Sequence, residues 1–219
     1  GNFKPNAQII KNIYSIAIPS GVMTSLPSIL VALLNSLLAT VSQTAIAFFG
    51  IYFKLQSFIY MPANGLIQGM RPLISYNYGA RHFDRVKKII KVSIISTAVI
   101  LCCGTIIFMG LPELVLSWFN ATEQLLEIGI IGLRVISPCF ILSTMGVVIS
   151  GVFESLGKGR QSLTISLLRQ FIITLPLAYI LLKVIGLNGI WLSFVIAEGI
   201  ASVIAVILIK KELHNFKVD

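Results

Sequence analysis

Charge is scarce in this chain, and negative charge is scarcest. Asp and Glu number 8 against 17 Lys and Arg, and there are 2 His. The charged fraction is 11%, against roughly 25% for soluble domains. So few acids leave little for general acid–base or metal chemistry. His82-Phe83-Asp84 sets a histidine near an acid, but in a basic stretch with no nucleophile, and His214 stands in a polar tail. Neither a catalytic nor a metal site is expected. The three cysteines, Cys102, Cys103 and Cys139, lie in apolar runs without ligand spacing. They read as small core residues and exclude a disulfide framework. The net charge of +9 raises nucleic acid as a partner. The cations, however, fall in the short gaps between apolar runs and not on a face with interleaved aromatics, so no nucleic acid is expected.

What the chain has instead is long apolar runs. The hydrophobic fraction is 56%, and about 20 mostly apolar residues cross a bilayer. The fold class expected is all-α and integral to the membrane, a six-helix bundle in contact with lipid. The spans are drawn at 13–39, 45–76, 89–109, 125–153 (broken near Pro138), 163–182 and 189–209, between a linker at 1–12 and a tail at 210–219. The start, GNFKPNAQIIKN, is polar and basic, unlike a signal peptide, and has no initiator Met; a fragment is expected. Lys4 and Lys11, the cluster Arg81, Arg85, Lys87, Lys88 and Lys91, the pair Lys158 and Arg160, and the tail lysines Lys210, Lys211 and Lys217 all fall on one side of a six-span arrangement. The opposite connections hold only Lys183. The positive-inside bias makes both termini cytoplasmic. On the outer side, Leu114, Val115, Trp118 and Phe119 are expected in a short interfacial helix.

The second span is the unusual one. It carries Pro62, Gly65, Gly69 and Pro72 in its body together with Lys54, Gln56, Asn64, Gln68 and Arg71. Asn64, Gln68 and Arg71 follow an i, i+4, i+7 spacing and share one helical face. Polar groups at membrane depth face a bundle interior or water. Asn35, Lys54, Gln56, Asn64, Gln68 and Arg134 are therefore the cavity candidates, with Ser36 a lesser one; interhelical hydrogen bonding is the alternative reading. Gly65 and Gly69 read as a small-xxx-small pair for close helix packing. Arg71 reads as a snorkelling cation, and Arg169 and Glu154 as a structural pair near the inner surface. Glu198 is the one carboxylate at mid-membrane depth: a proton carrier, or the partner of Arg134 or Arg169.

The segment GLIQGMRPLISYNYGARHFDRVKK resembles the signature of the multidrug and toxic compound extrusion (MATE) family. It joins a Gly-x-x-x-Gly-x-x-Pro helix end, with Pro72, to a break at Asn77, Tyr78, Gly79 and Ala80 and then a basic loop. AIPSGVMTSLPS and FESLGKGRQSLTISLLRQ are similar to other parts of that family, and the resemblance covers nearly the whole chain. It implies one lobe of a twelve-helix transporter, the C-terminal one, of a bacterial drug-exporting branch in the cell membrane. The partner implied is the N-terminal lobe, and the cargo is small organic cations exchanged for H+ or Na+ by alternating access. Pro27 and Pro62 are the hinge candidates. Some branches place acidic cation ligands on the first and fourth helices of this lobe. Here the first span has no acid and the fourth only Glu154 at its inner end, so the resemblance implies an ion bound mainly by the other lobe and no cofactor. Two further readings stand beside it: a lipid-linked precursor flippase, which needs Lys54, Arg71, Arg134 and Arg169 to converge, and a non-transporting scaffold.

Overall fold

The computed structural model describes residues 6–215, apart from the side chains of Ile16, Ser20 and Asn215. Lys4 and Lys217, counted in the charge bias, lie outside the described residues. Every element described is helical: α1 (Ala7–Leu38), α2 (Gln43–Gly79), α3 (Phe83–Gly110), α4 (Pro112–Ser117), α5 (Glu123–Ile136), α6 (Pro138–Ser155), α7 (Gly159–Leu167), a π segment (Leu168–Ile172), α8 (Thr174–Ile185) and α9 (Leu187–Asn215). Six helices among the described residues are long and apolar enough to cross a membrane. Ile106, Val184 and Val203 project from them into the open, as side chains facing lipid do. This is a multi-pass membrane protein.

The helices start and stop for local reasons. Asn6 caps α1, its side chain accepting from the Gln8 amide at 2.9 Å, so the helix begins within the stretch drawn as linker. The fourth span breaks where Pro138 predicts it, with α5 ending at Ile136 and α6 beginning at Pro138. The end of α2 differs from expectation. The helix continues through Asn77, Tyr78 and Gly79, and the residue that turns left-handed is Arg81, at φ 58°. His82 N–H bonds to Asn77 O at 2.8 Å and Arg81 N–H to Tyr78 O at 3.0 Å, a Schellman closure with arginine in the place glycine usually takes. The end of α6 closes the same way with glycine: Gly157 has φ 72°, and Lys158 N–H bonds to Phe153 O at 2.8 Å.

The fifth span is not one regular helix. Pro176 has no N–H to offer Ile172 O, and its ring crowds that carbonyl. The chain accommodates this with the π segment, where Ile173 N–H reaches back to Leu168 O at 3.2 Å. α4 is short, as expected, with Trp118 exposed beyond its end, but Val115 is turned into the core and away from the interface.

Two apolar clusters hold the bundle. One gathers Phe48, Phe49, Tyr52, Phe140 and Trp191, with Phe48 edge-on to Trp191 at 5.0 Å between centroids. The other packs Ile67, Ile74, Val86, Val148, Val152 and Phe153 towards the α2–α3 turn. Close helix approach is provided by glycines other than the expected pair. A Cβ on Gly132 would lie 2.5 Å from the Phe48 ring, and one on Gly151 2.7 Å from Ile67. Gly65 and Gly69 have nothing within 4 Å of that position. They open onto the surface, because the packed face of α2 is the one carrying Ala63, Ile67, Met70 and Ile74.

Candidate functional site

A cavity of about 550 Å³ opens between α1, α2, α6, the π segment and α9. The volume lies within the range of small-molecule sites. α2 supplies most of its wall. Phe53, Gln56, Ser57, Tyr60 and Asn64 follow helical spacing along one stripe of that helix, and all line the space. Phe49 and Phe194 add aromatic surface, and Pro27 of α1 closes one side. Tyr60 is held in place by its hydroxyl, 2.6 Å from Ser143 Oγ of α6.

The charge in this cavity is a closed pair. Arg169 Nε donates to Glu198 Oε2 and Arg169 Nη2 to Glu198 Oε1, each at 2.8 Å. The side chains are 12% and 13% exposed. This bidentate fork is the strongest geometry available to a guanidinium and a carboxylate. Of the two arginines named for Glu198, Arg169 is the one that pairs with it; Arg134 is exposed on α5. Two local features place the arginine. The π segment turns Arg169 and Gln170 together towards the cavity, and Thr174 Oγ1 donates to Arg169 O. Gly146 of α6 leaves the room: a Cβ there would stand 3.0 Å from Arg169 Cδ. Gln170 Oε1 lies buried in the wall with no hydrogen-bond partner, an acceptor open to a donor from a guest.

The expected pairing of Arg169 with Glu154 does not form. Glu154 binds Arg71 at 2.6 Å and accepts from Ser162 Oγ at 3.0 Å. Arg71 Nη1 also donates to Gln68 Oε1 at 3.3 Å, so Arg71 is tied to α6 and does not simply snorkel. A separate pair, Lys158–Glu212 at 2.6 Å, ties the α6–α7 turn to the end of α9.

Of the residues singled out from sequence, the cavity takes in Gln56, Asn64, Glu198 and Pro27. Lys54, Gln68 and Arg134 are exposed outside its lining, as is the hinge candidate Pro62. Asn35 also lies outside the lining, with its Oδ1 buried and unpartnered. Tyr60 and Gln170 were not anticipated, and Arg169 was placed at a cavity only by the flippase reading. Tyr60 carried a usable signal, since it lies four residues from both Gln56 and Asn64 on one helical face. Gln170 carried none, because its orientation depends on the π turn.

The MatE family model matches residues 19–180 of the chain. The chain is 30% identical over 217 residues to the multidrug export protein MepA of Staphylococcus haemolyticus, covering 99% of this chain and 47% of that protein. It is also 30% identical to MepA of Staphylococcus aureus, covering 99% of this chain and 48% of that one. Among solved structures, an outward-facing multidrug resistance MATE family transporter of the MOP superfamily superposes with a TM-score of 0.92 at 21% identity, over 100% of this chain and 49% of that one. A MOP superfamily transporter from Pyrococcus furiosus, described as having a binding pocket of reverse polarity, superposes with a TM-score of 0.90 at 22% identity, over 99% of this chain and 49% of that one. The chain spans about half the length of the curated relatives it matches.

Proposed function

This chain belongs to the MatE family of multidrug efflux transporters, and on that premise we propose that it is the C-terminal half of a cation-coupled antiporter that exports amphipathic organic cations. The observation that carries the proposal is the composition of the cavity. Its walls are aromatic and amide-rich, and its one carboxylate is neutralised in place. Phe53, Tyr60 and Phe194 give the walls aromatic surface that suits a cation, and Gln56, Asn64 and Gln170 offer acceptors. A guest is held by many moderate contacts without one strong charge, which suits a range of related molecules.

Both oxygens of Glu198 are engaged by Arg169. A sodium ion here would have to displace a bidentate guanidinium. The reading therefore assigns the H+ or Na+ site mainly to the other half of the transporter. Alternating access would rock that half against this one, with bending at Pro27 and Pro62, both inside long helices. The cationic stretches at the α2–α3 and α6–α7 turns support cytoplasmic placement of both termini in a cell membrane.

The flippase reading needs converging cations for a pyrophosphate. Of Lys54, Arg71, Arg134 and Arg169, only Arg169 lines the cavity, and it is already paired. The drug-exporting reading is favoured on that ground. The test is dye efflux and drug susceptibility in a pump-deficient bacterium expressing the transporter that contains this chain. Export of cationic dyes that falls when Gln56 or Asn64 becomes alanine supports the proposal. Full expression without resistance overturns it, and rescue of envelope-precursor transport would then favour the flippase. A scaffold would keep its function under the same substitutions.

A further inference from the structure

A second concavity lies at the opposite end of α2 from the aromatic cluster, and the transport reading makes no use of it. It is a groove of about 630 Å³ between α2 and α3. On α2 it follows Leu66, Gly69, Met70 and Leu73 to Asn77; on α3 it runs from Arg85 and Lys88 past Ile89 to Val92. The spacing places each set on one face of its helix. From Leu66 to Asn77 the groove is about 16 Å long at 1.5 Å per residue, close to the depth of one leaflet of a bilayer core roughly 30 Å thick.

Polarity is ordered along this length. Ser93 apart, the floor and far end are apolar, and the end nearest the α2–α3 turn is cationic. Arg85 and Lys88 are exposed there, and among the described residues neither has a carboxylate within salt-bridge distance, since Asp84 is paired with Lys87 at 3.5 Å. At the cationic end, on α2, sits Asn77. It is 8% exposed, its Nδ2 donates to Leu73 O at 2.8 Å, and its Oδ1 has no partner. A buried acceptor left open is costly unless something donates to it. Gly69 deepens the groove at mid-length, since nothing lies within 4 Å of where its side chain would begin.

We infer that the α2–α3 groove binds one anionic phospholipid, with its phosphate at Arg85 and Lys88, a headgroup or glycerol hydroxyl at Asn77, and an acyl chain along Leu66, Gly69 and Leu73. Charge complementarity selects the occupant: the groove presents two unpaired cations where a headgroup would sit and apolar surface where a tail would lie. The inference rests on the membrane-spanning fold and not on drug export, so the two stand or fall separately.

The experiment is native mass spectrometry of the protein purified in mild detergent and titrated with phosphatidylglycerol or phosphatidylcholine. Phosphatidylglycerol should be retained as a single tight adduct in preference to phosphatidylcholine, and glycerol 3-phosphate should not displace it. The double variant Arg85→Gln/Lys88→Gln should weaken retention by about five-fold per cation removed. Gly69→Phe, which keeps both cations but fills the groove, should abolish the tight adduct. The charge-matched control Arg160→Gln/Lys210→Gln, on other exposed sites, should retain it. Equal retention of the two lipids overturns the inference, as does a tight adduct that survives Gly69→Phe or a control variant that loses it. Either result would leave the dye-efflux test untouched.

Discussion

Arg169 and Glu198 meet in a two-point fork across the cavity wall, joining the π segment to α9 with both contacts at 2.8 Å. Little solvent reaches the pair. Its energetics are therefore those of a buried charge pair, in which losing one partner leaves the other uncompensated.

Replacing either member alone, Arg169→Met or Glu198→Gln, should destabilise the protein by about 3 kcal/mol or more. The double replacement Arg169→Met/Glu198→Gln should recover most of that loss, because no charge is left stranded. Unfolding in detergent, read as a double-mutant cycle, measures the coupling. A double variant no more stable than the sum of the singles would show that the pair is not an energetic unit.

Arg71 and Glu154 form the contrasting case. Their contact is shorter, at 2.6 Å, but their side chains are 35% and 22% exposed. Water screens such a pair, so Arg71→Gln should cost no more than about 1 kcal/mol. Melting of that variant beside Glu198→Gln ranks the two pairs directly, and the shorter one should prove the weaker.

The glycines make a third prediction. Gly132→Ala would drive a methyl group into the Phe48 ring and should cost about 1–3 kcal/mol through overpacking. Gly65→Ala meets nothing and should be neutral or stabilising by about 0.5–1 kcal/mol, as alanine is the better helix former. Thermal midpoints of the two variants should move in opposite directions, or only the first should move.

On function, Gln56→Ala and Asn64→Ala should weaken dye recognition several-fold at unchanged expression, since both side chains line the cavity. Lys54→Ala and Gln68→Ala, on the open face of α2, should have smaller effects if the guest sits within this bundle and larger ones if it sits against the other half. Transport assays in membrane vesicles give the ordering. The chain reconstituted alone in liposomes should give no dye counterflow, because alternating access requires two halves.

The six apolar helices and the break at Pro138 were legible in the sequence because each depends on local properties, hydropathy and a missing N–H; the polar face of α2 was legible only in part, since Asn64 lines the cavity but Gln68 of the same expected face does not. Glu198 could be recognised as costly at its depth, but hydropathy does not say which arginine satisfies it. The choice fell to Arg169 because a π turn rotates that residue and Gly146 makes room for it. Both are tertiary facts. Gly65 and Gly69 misled for a related reason: their spacing fits a packing motif, but α2 turns its other face to the bundle. Arg81 in the left-handed turn was hidden by the neighbouring Gly79, which the chain does not use for that purpose.

The two closures at Arg81 and Gly157 have a mechanical consequence. Each joins consecutive helices through a connection that is itself hydrogen-bonded back to the helix it leaves, and Ser75 Oγ donates to Ser155 O at 2.8 Å between them. The ends of α2 and α6 are thus tied to each other, and the turns onward to α3 and α7 are each closed by their own hydrogen bonds. Displacement imposed at one of these ends is therefore expected to be felt at the other.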